Sequence, residues 1–364
     1  MKIVYGIAGE GFGHSSRAHL IGQKLINSGH EVIFIASEKS YTYLCQYFKE
    51  KVKKIIGMFL VYNNRYLSTF RTFIFNSGKF PGTALNNFRL FRECLAPFEP
   101  DLIITDFEPF TAFWASWNNI PLLSIDHQHL LTNCVLEDFE SSRFAKFNSQ
   151  LVIKCFRIKA DAHIILNFFN APVKNDSTIL VPPVVRTIAE EFNSTSENHI
   201  LCYSTDNTNL DKMLSIFRKF PEYKFIIYGF NQDTEYENCT LRKRSTRGFL
   251  KDLSSCKAVI ATAGFSLISE CLYFRKRMLI LPILGHFEQL VNAHFIAKLN
   301  LGFSSHRFDD TVLKNFLASI EEPIKPRQQI LWPDNNKFFE VFDSVLFRLN
   351  RFNKEELFTE CKVC

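Results

Sequence analysis

"MKIVYGIAGEGFGHSSRAHLIGQKLINSGHEVIFIAS", residues 1–37, is the stretch whose reading decides the fold. "KIVYGI" is an apolar run of strand length, and a glycine-rich turn follows it. In "SRAHLIGQKLINSG", Ala18, Ile21, Leu25 and Ile26 share one helical face, and Gly29 stands where a helix ends. "HEVIFIAS" is the next strand. Strand, helix and strand in that order form a βαβ unit, which belongs to a parallel sheet.

The same alternation recurs further along. "PDLIITDF", "PFTAFWASWNN" and "IPLLSID" read as strand, helix and strand. Ala171 to Arg186, "APVKNDSTILVPPVVR", carries three prolines and several turn formers, and reads as a linker. A second series follows: "HILCYSTDN", "LDKMLSIFRKF", "YKFIIYGF", "RGFLKDLSSC", "KAVIATAG", "FSLISECLYF" and "KRMLILPI". The expected architecture is α/β, with two Rossmann-like domains, residues 1–180 and 181–334, facing each other across a cleft. An amphipathic helix is expected within residues 335–364, packing back on the first domain.

A chain of 364 residues is long enough for two such cores. The formal net charge of +6 permits an anionic partner without requiring one. Ten cysteines are scattered, and the one C-x-x-C, Cys361 to Cys364, cannot supply a four-ligand zinc site. Such thiols predict a reduced, cytoplasmic setting. The apolar run after Met1 stops at Glu10, too short for a secretory core, and no run approaches the ~18 residues of a membrane span. A location at the inner face of a membrane stays open. Between Met58 and Pro97, Phe59, Tyr62, Tyr66, Phe70, Phe73, Phe75 and Phe80 interleave with Arg65, Arg71, Lys79, Arg89 and Arg92. That mixture suits inserted helices with a solvated basic face, an anionic bilayer surface with a lipid-linked acceptor, or single-stranded nucleic acid.

"GEGFGH", Gly9 to His14, fits neither common phosphate loop. A dinucleotide fingerprint needs a third glycine where His14 stands, and a Walker loop needs Gly-Lys-Ser/Thr. What remains is a turn that presents His14 at the carboxyl edge of the first strand, where open α/β sheets bind ligands. Asp106 ends "LIITD" at the same edge. Its carboxylate can accept the Nδ1 proton of His14, fixing the tautomer and raising the basicity of Nε2. The plainer alternatives are a helix cap for Asp106 and a turn filler for His14. "SIDHQHL" brings Asp126, His127 and His129 to another strand end on the acceptor side, with Glu10, Gly11 and Gly13 nearby. Asp126, His127 and His129 can touch the acceptor or replace His14 as base, and Glu10 is a further candidate for the base.

In the second half, Thr262, Gly264, Phe265 and Ser266 open a helix directly after a strand. Its free N–H groups and positive dipole end suit a diphosphate, and Gly264 permits close backbone approach. Glu270, two turns along, can accept ribose hydroxyls. "GHFEQ" adds His286, Glu288 and Gln289 as polar groups for sugar hydroxyls.

This stretch, with Gly264, Glu270, "ILPILGHFEQ" and Asn292-Ala293, resembles the nucleotide-sugar segment of GT-B glycosyltransferases, in the MurG-like and UDP-glycosyltransferase group with its poorly characterised prokaryotic branch. "GEGFGH" resembles the amino-terminal loop of that superfamily, and "VPPVVR" resembles the linker to its second domain. The resemblance covers most of the chain and fails mainly from Phe59 to Pro97 and in the last residues. It implies an inverting hexosyltransferase moving a sugar from a nucleotide sugar, foremost a UDP-sugar, to an acceptor hydroxyl of a cell-surface glycan or lipid-linked compound. It implies His14 as general base, Asp106 as its partner, Glu270 on the ribose, and Glu288 and Gln289 on the donor sugar. Phe249 matches the loop whose backbone reads the base. Two positions depart from the pattern: Thr262 stands where relatives carry a histidine or arginine, and Ser204 opens a loop unlike their Gly-Ser loop. With no D-x-D motif, no obligatory metal and no cofactor are expected. The alternatives are an epimerase of the same fold and a non-catalytic sugar- or partner-binding module.

Overall fold

The structure is a computed structural model that describes residues 1–9, 11–58, 62–63, 66–67, 69–139, 146–147, 149–150, 153, 159–204, 210–283 and 285–360; the side chains of 62–77, 80 and 351–360 lie outside the description. In the opening βαβ unit, β1 is Lys2–Ile7, α1 Phe12–Asn27 and β2 Glu31–Ala36. Ala18, Ile21 and Leu25 are buried on the inner face of α1, as their spacing predicts.

The first half continues with α2 (Glu38–Phe48), β3 (Val52–Lys54), a short hairpin of β4 (Tyr62–Asn63) and β5 (Tyr66–Leu67), and α3 (Thr69–Cys94). Next come β6 (Leu102–Asp106), α4 (Pro109–Trp117), β7 (Leu122–Asp126), α5 (Leu130–Asn133), β8 (Ala162–Leu166) and β9 (Thr178–Val181). The strands form one sheet in the order β3-β2-β1-β6-β7-β8-β9, every pair parallel. Helices cover both faces, which is why β1, β6, β7 and β8 are buried along nearly their whole length and mostly apolar. The order reverses between β1 and β6, where the loops leave in opposite directions and open a crevice.

The second half repeats the plan with β10 (His199–Tyr203), α6 (Leu210–Phe217), β11 (Lys224–Tyr228), β12 (Thr234–Tyr236), β13 (Cys239–Arg242) and α7 (Thr246–Ser255). Then follow β14 (Ala258–Ala261), α8 (Phe265–Tyr273), β15 (Arg277–Ile280), α9 (Phe287–Lys298), β16 (Gly302–Ser304), α10 (Asp310–Leu317) and α11 (Asn335–Glu360). The sheet order is β12-β13-β11-β10-β14-β15-β16, and within it β12 and β13 pair antiparallel. Its reversal falls between β10 and β14.

Two departures from the sequence reading are local. "TILV", inside the stretch read as a linker, is β9 and extends the first sheet beside β8. Four residues flanked by asparagine, aspartate and two prolines carry too little apolar pattern to stand out as a strand. In the segment read as aromatic and basic, the later part of α3 turns Ala84, Asn87 and Phe91 inward, while Arg89 and Arg92 are exposed. Leu85 and Trp117 are left 71% and 76% exposed beside them. The side chains of Phe59, Tyr62, Arg65, Tyr66, Phe70, Arg71, Phe73, Phe75 and Phe80 lie outside the described residues. No described helix is long and apolar enough to cross a membrane.

The last helix, α11, buries Phe338, Phe342, Val345, Leu346 and Leu349. Its start is tied to the connection between the sheets: Asn335 Oδ1 accepts the Val185 N–H at 3.0 Å. Asp343 on α11 pairs with Lys24 of α1 at 3.2 Å, so the helix lies on the first half.

Candidate active site

The two sheets turn their carboxyl edges toward one shared cleft of about 1370 Å³. That exceeds the ~300–1,000 Å³ of a usual single-ligand pocket and gives room for two substrates. Gly11 caps α1 with φ +79°, a backbone conformation that side chains rarely adopt. Gly13 is needed for a different reason: a Cβ there would meet Ser266 Oγ of the other half at 2.3 Å. The starts of α1 and α8 are therefore in contact across the cleft.

His14 is the next residue on α1. Its Nδ1 lies 2.6 Å from Asp106 Oδ1. Asp106 is fully buried and also accepts Arg17 Nε at 2.7 Å and Arg17 Nη2 at 2.5 Å. An ionised carboxylate only accepts, so the short contact makes Nδ1 the protonated nitrogen of His14 and leaves Nε2 with its lone pair. Burial pulls the Arg17 guanidinium down, but Asp106 outweighs it and holds Arg17 above its ordinary value. Asp106 does not cap α4. That work falls to Glu108, whose carboxylate accepts the N–H groups of Phe110 (2.9 Å) and Thr111 (2.7 Å). Burial nevertheless pushes the Glu108 carboxyl up, against the hydrogen bonds from Thr111 and Phe110.

A second histidine–carboxylate pair lines the cleft. His129 Nδ1 is 2.6 Å from Asp126 Oδ2, and Asp126 also accepts the His129 N–H and the Ser124 hydroxyl, each at 2.8 Å. Burial raises the Asp126 carboxyl, but His129 and these hydrogen bonds win and hold it well below the usual carboxylate range. His127 stands differently from its neighbours. Its Nδ1 meets the Leu166 carbonyl at 2.8 Å, its Nε2 meets Asn292 Oδ1 at 2.9 Å, and its ring stacks on Phe265 at 3.9 Å. Each nitrogen meets an oxygen, one in each half, so His127 joins the two halves and turns neither nitrogen to open cleft space. Glu10 lies outside the described residues.

On the other wall, Thr262, Gly264, Phe265 and Ser266 line the cleft at the start of α8. A Cβ on Gly264 would meet nothing within 4 Å, so its bare face opens on the cleft. Glu270 also lines it, but its Oε1 is taken by Arg186 Nε at 2.6 Å. Phe249 contributes its ring, edge-on to Tyr203 and Tyr228. Its N–H is held by the Ser245 carbonyl at 2.8 Å within α7 and is not free for a ligand. Ser204 and His286 line the cleft as well; residues 205–209 are outside the description. Glu288 Oε2 accepts Gln128 Nε2 at 3.0 Å, and Gln289 Oε1 accepts the Ile283 N–H at 3.0 Å.

Arg17, Glu108, Gln128, Arg186 and Arg244 are cleft or site residues that sequence reading missed. Arg17 stands three residues after His14, one turn along the same helix, and that spacing was the available signal. Arg186 closes "VPPVVR", and its charge at the end of a proline-rich connection was a second. Among the described residues, no group of three His, Cys, Asp or Glu side chains is placed to hold a metal ion.

Similar structures identify the architecture. The glycotransferase of kitacinnamycin superposes with a TM-score of 0.62 at 12% identity, over 88% of this chain and 90% of that one. Spinosyn rhamnosyltransferase SpnG complexed with thymidine diphosphate gives 0.59 at 12%, over 88% and 91%. MurG of Acinetobacter baumannii gives 0.54 at 14%, again over 88% and 91%. The fold is GT-B, and this protein is a glycosyltransferase. The chain belongs to glycosyl transferase family 1, whose model matches residues 1–321. An uncharacterized glycosyltransferase of Methanosarcina acetivorans is 25% identical over 334 residues, 83% of this chain and 85% of that one.

Proposed function

We propose that the enzyme transfers a sugar from a nucleoside diphosphate sugar, foremost a UDP-sugar, to an acceptor hydroxyl with inversion, and that His14 is the general base. The observation that carries this reading is the His14–Asp106 contact of 2.6 Å at the switch point, in a cleft whose other wall is a helix start. Asp106 and Arg17 hold the ring so that Nε2 takes the acceptor proton. The acceptor oxygen attacks the anomeric carbon as the bond to the diphosphate breaks. The N–H groups at the start of α8 and the Thr262 and Ser266 hydroxyls stabilise the leaving diphosphate, with no metal ion required. Glu270 serves the ribose, and Glu288 and Gln289 serve the donor sugar. Two features support room for an acceptor: the volume of the cleft, and the apolar wall of Phe107, Ala112, Leu122 and Leu131 in the first half.

The experiment is a donor screen by thermal shift, followed by His14→Ala with the donor that binds. Turnover is expected to fall by ~10²–10⁴-fold while donor affinity holds. Near-normal turnover would refute His14 as the base and turn attention to His129, the other cleft histidine on a buried carboxylate. NMR of the early product settles whether the anomeric centre inverts.

A further inference from the structure

The second histidine–carboxylate pair stands at the strand end next to the first, and the proposed chemistry leaves it unused. Asp106 ends β6 and Asp126 ends β7, and the register sets Thr105 beside Ser124, so the two carboxylates leave neighbouring strands within one residue of the same level. They leave on opposite faces of the sheet, because side chains alternate along a strand. Leu102 and Ile104 pack in the core under α1, and Asp106 follows them to that face, where His14 and Arg17 meet it. Leu122 packs in the core under α4, and Ser124 and Asp126 follow it to the other face, bonded to each other at 2.8 Å. The cleft thus wraps the carboxyl edge of the first sheet and continues down its α4 side.

His129 sits on that side as His14 sits on the other. Its Nδ1 is 2.6 Å from Asp126, the distance that also separates His14 from Asp106. Asp126 is buried and only accepts, so Nδ1 of His129 carries the proton and Nε2 keeps its lone pair. Nε2 has no protein partner among the described residues and is not sealed from the cleft. The walls around the ring are apolar: Ala112, Leu122, Leu131, Ile153 and Ala160, with Phe107 edge-on to it. One hydrogen-bond acceptor set among apolar walls discriminates, since a ligand that brings no donor leaves it unpaired. Asp126 puts a negative charge beside it, which opposes an acid. An ammonium suits that charge but would lose its water among the apolar walls. The group that fits is a neutral hydroxyl.

Resting on the acceptor chemistry proposed above, we propose that His129 is the specificity residue for the acceptor, and that the acceptor is a diol on an apolar scaffold. One hydroxyl gives its proton to His14 Nε2 and its oxygen bonds to the anomeric carbon as the bond to the diphosphate breaks. A second hydroxyl does not react and donates to His129 Nε2. The scaffold lies across the carboxyl edge with one end on each face of the sheet, and the two histidines together fix which hydroxyl receives the sugar.

The test measures kcat/KM for transfer to cyclohexanedimethanol, cyclohexylmethanol, (hydroxymethyl)cyclohexanecarboxylate and (aminomethyl)cyclohexylmethanol, each disubstituted ring carrying its groups at opposite corners, with the nucleotide sugar found in the donor screen. The wild-type chain is expected to prefer the diol to the mono-alcohol by about 10–100-fold, beyond the statistical advantage of two equivalent hydroxyls; this is the range of one buried hydrogen bond made or left unpaired. His129→Phe fills the same space without a lone pair and should cut the preference to less than about 3-fold. His129→Gln offers an accepting oxygen and should restore part of it. Equal loss on both alcohols would mark His129 as a base or as a structural residue and overturn the proposal. So would a preference that survives His129→Phe, or faster transfer to the acid or the amine than to the diol. If the donor is hydrolysed by water but none of these compounds takes the sugar, this inference fails alone. If no nucleotide sugar is bound or hydrolysed, the reading on which it rests fails with it. If His129→Phe does not fold, His129→Ala carries the same comparison.

Discussion

Asp106→Asn is expected to harm stability far more than turnover, and the hydrogen bonds show why. Asp106 accepts three: His14 Nδ1 and Arg17 Nη2 at Oδ1, and Arg17 Nε at Oδ2. An asparagine has one carbonyl oxygen. Placed at Oδ1 it keeps His14 and Arg17 Nη2, and turns its NH₂ against Arg17 Nε. Placed the other way it opposes two donors. The first orientation wins, so the His14 tautomer survives and only one donor conflict arises. The larger effect is that the buried Arg17 loses its counter-charge. Breaking such a pair costs about 3–5 kcal/mol. For a half of this size that lowers the melting temperature by about 6–20 °C. Turnover below the new melting point should fall by much less than the ~10²–10⁴-fold of a lost base. Calorimetric melting and initial rates on the same preparation measure both. A melting temperature within about 2 °C of wild type would refute the buried network. So would a loss of turnover equal to that of His14→Ala with stability unchanged.

Two further expectations follow from the same wall and its neighbour. Gly13→Ala places a Cβ 2.3 Å from Ser266 Oγ but 3.3 Å from Ser266 Cβ, so it should reduce donor affinity by displacing that hydroxyl, and in a Ser266→Ala background it should add little; full additivity of the two changes would count against the close approach. Asp126 has its folded carboxyl held below the usual range, so its contribution to stability is fully present above the unfolded value of about 3.9 and is lost as pH falls toward the depressed one. Urea midpoints of wild type and Asp126→Asn should therefore still differ at about pH 5 and converge only in stronger acid; a difference already gone at pH 5 would contradict this.

The fold was legible because its carriers are periodic. A buried strand such as "LIITD" and a helix face such as Ala18, Ile21 and Leu25 repeat a signal over several residues. Short edge strands do not, and β3, β9, β12 and β16 were accordingly not read; β8, "AHIIL", and β13, "CTLR", were missed inside the sheets, where a charged or polar residue interrupts each run. The site was legible where chemistry sits at a strand end, as with His14, Asp106 and Gly264. Its counter-charges were not. Arg17 and Arg186 look in sequence like the solvated charges found on any helix or linker, and only the fold shows that each is buried against a carboxylate. Histidine side chains show the same limit. "HQH" predicts two equivalent cleft histidines, yet His129 rests on Asp126 while His127 has Asn292 of the other half on one nitrogen and the Leu166 carbonyl on the other. Pairings between residues 39 to 165 apart in sequence leave no trace in local pattern.

Helix α9 has a consequence for how such a chain can be recombined. It belongs to the second half, yet its side chains are fitted to the first. Asn292 bonds His127, Phe295 stacks on Phe169 at 3.5 Å, and Phe139 stacks on both Phe287 and His294. His294 and Lys298 both pair with Glu137. A donor half transplanted from a relative would arrive with an α9 shaped for another partner. Such a graft would have to carry residues 127, 137, 139 and 169 with it, or be cut so that α9 stays with its host. The boundary at which this enzyme can be exchanged as a cassette is therefore not the proline-rich connection where the chain passes from one sheet to the other.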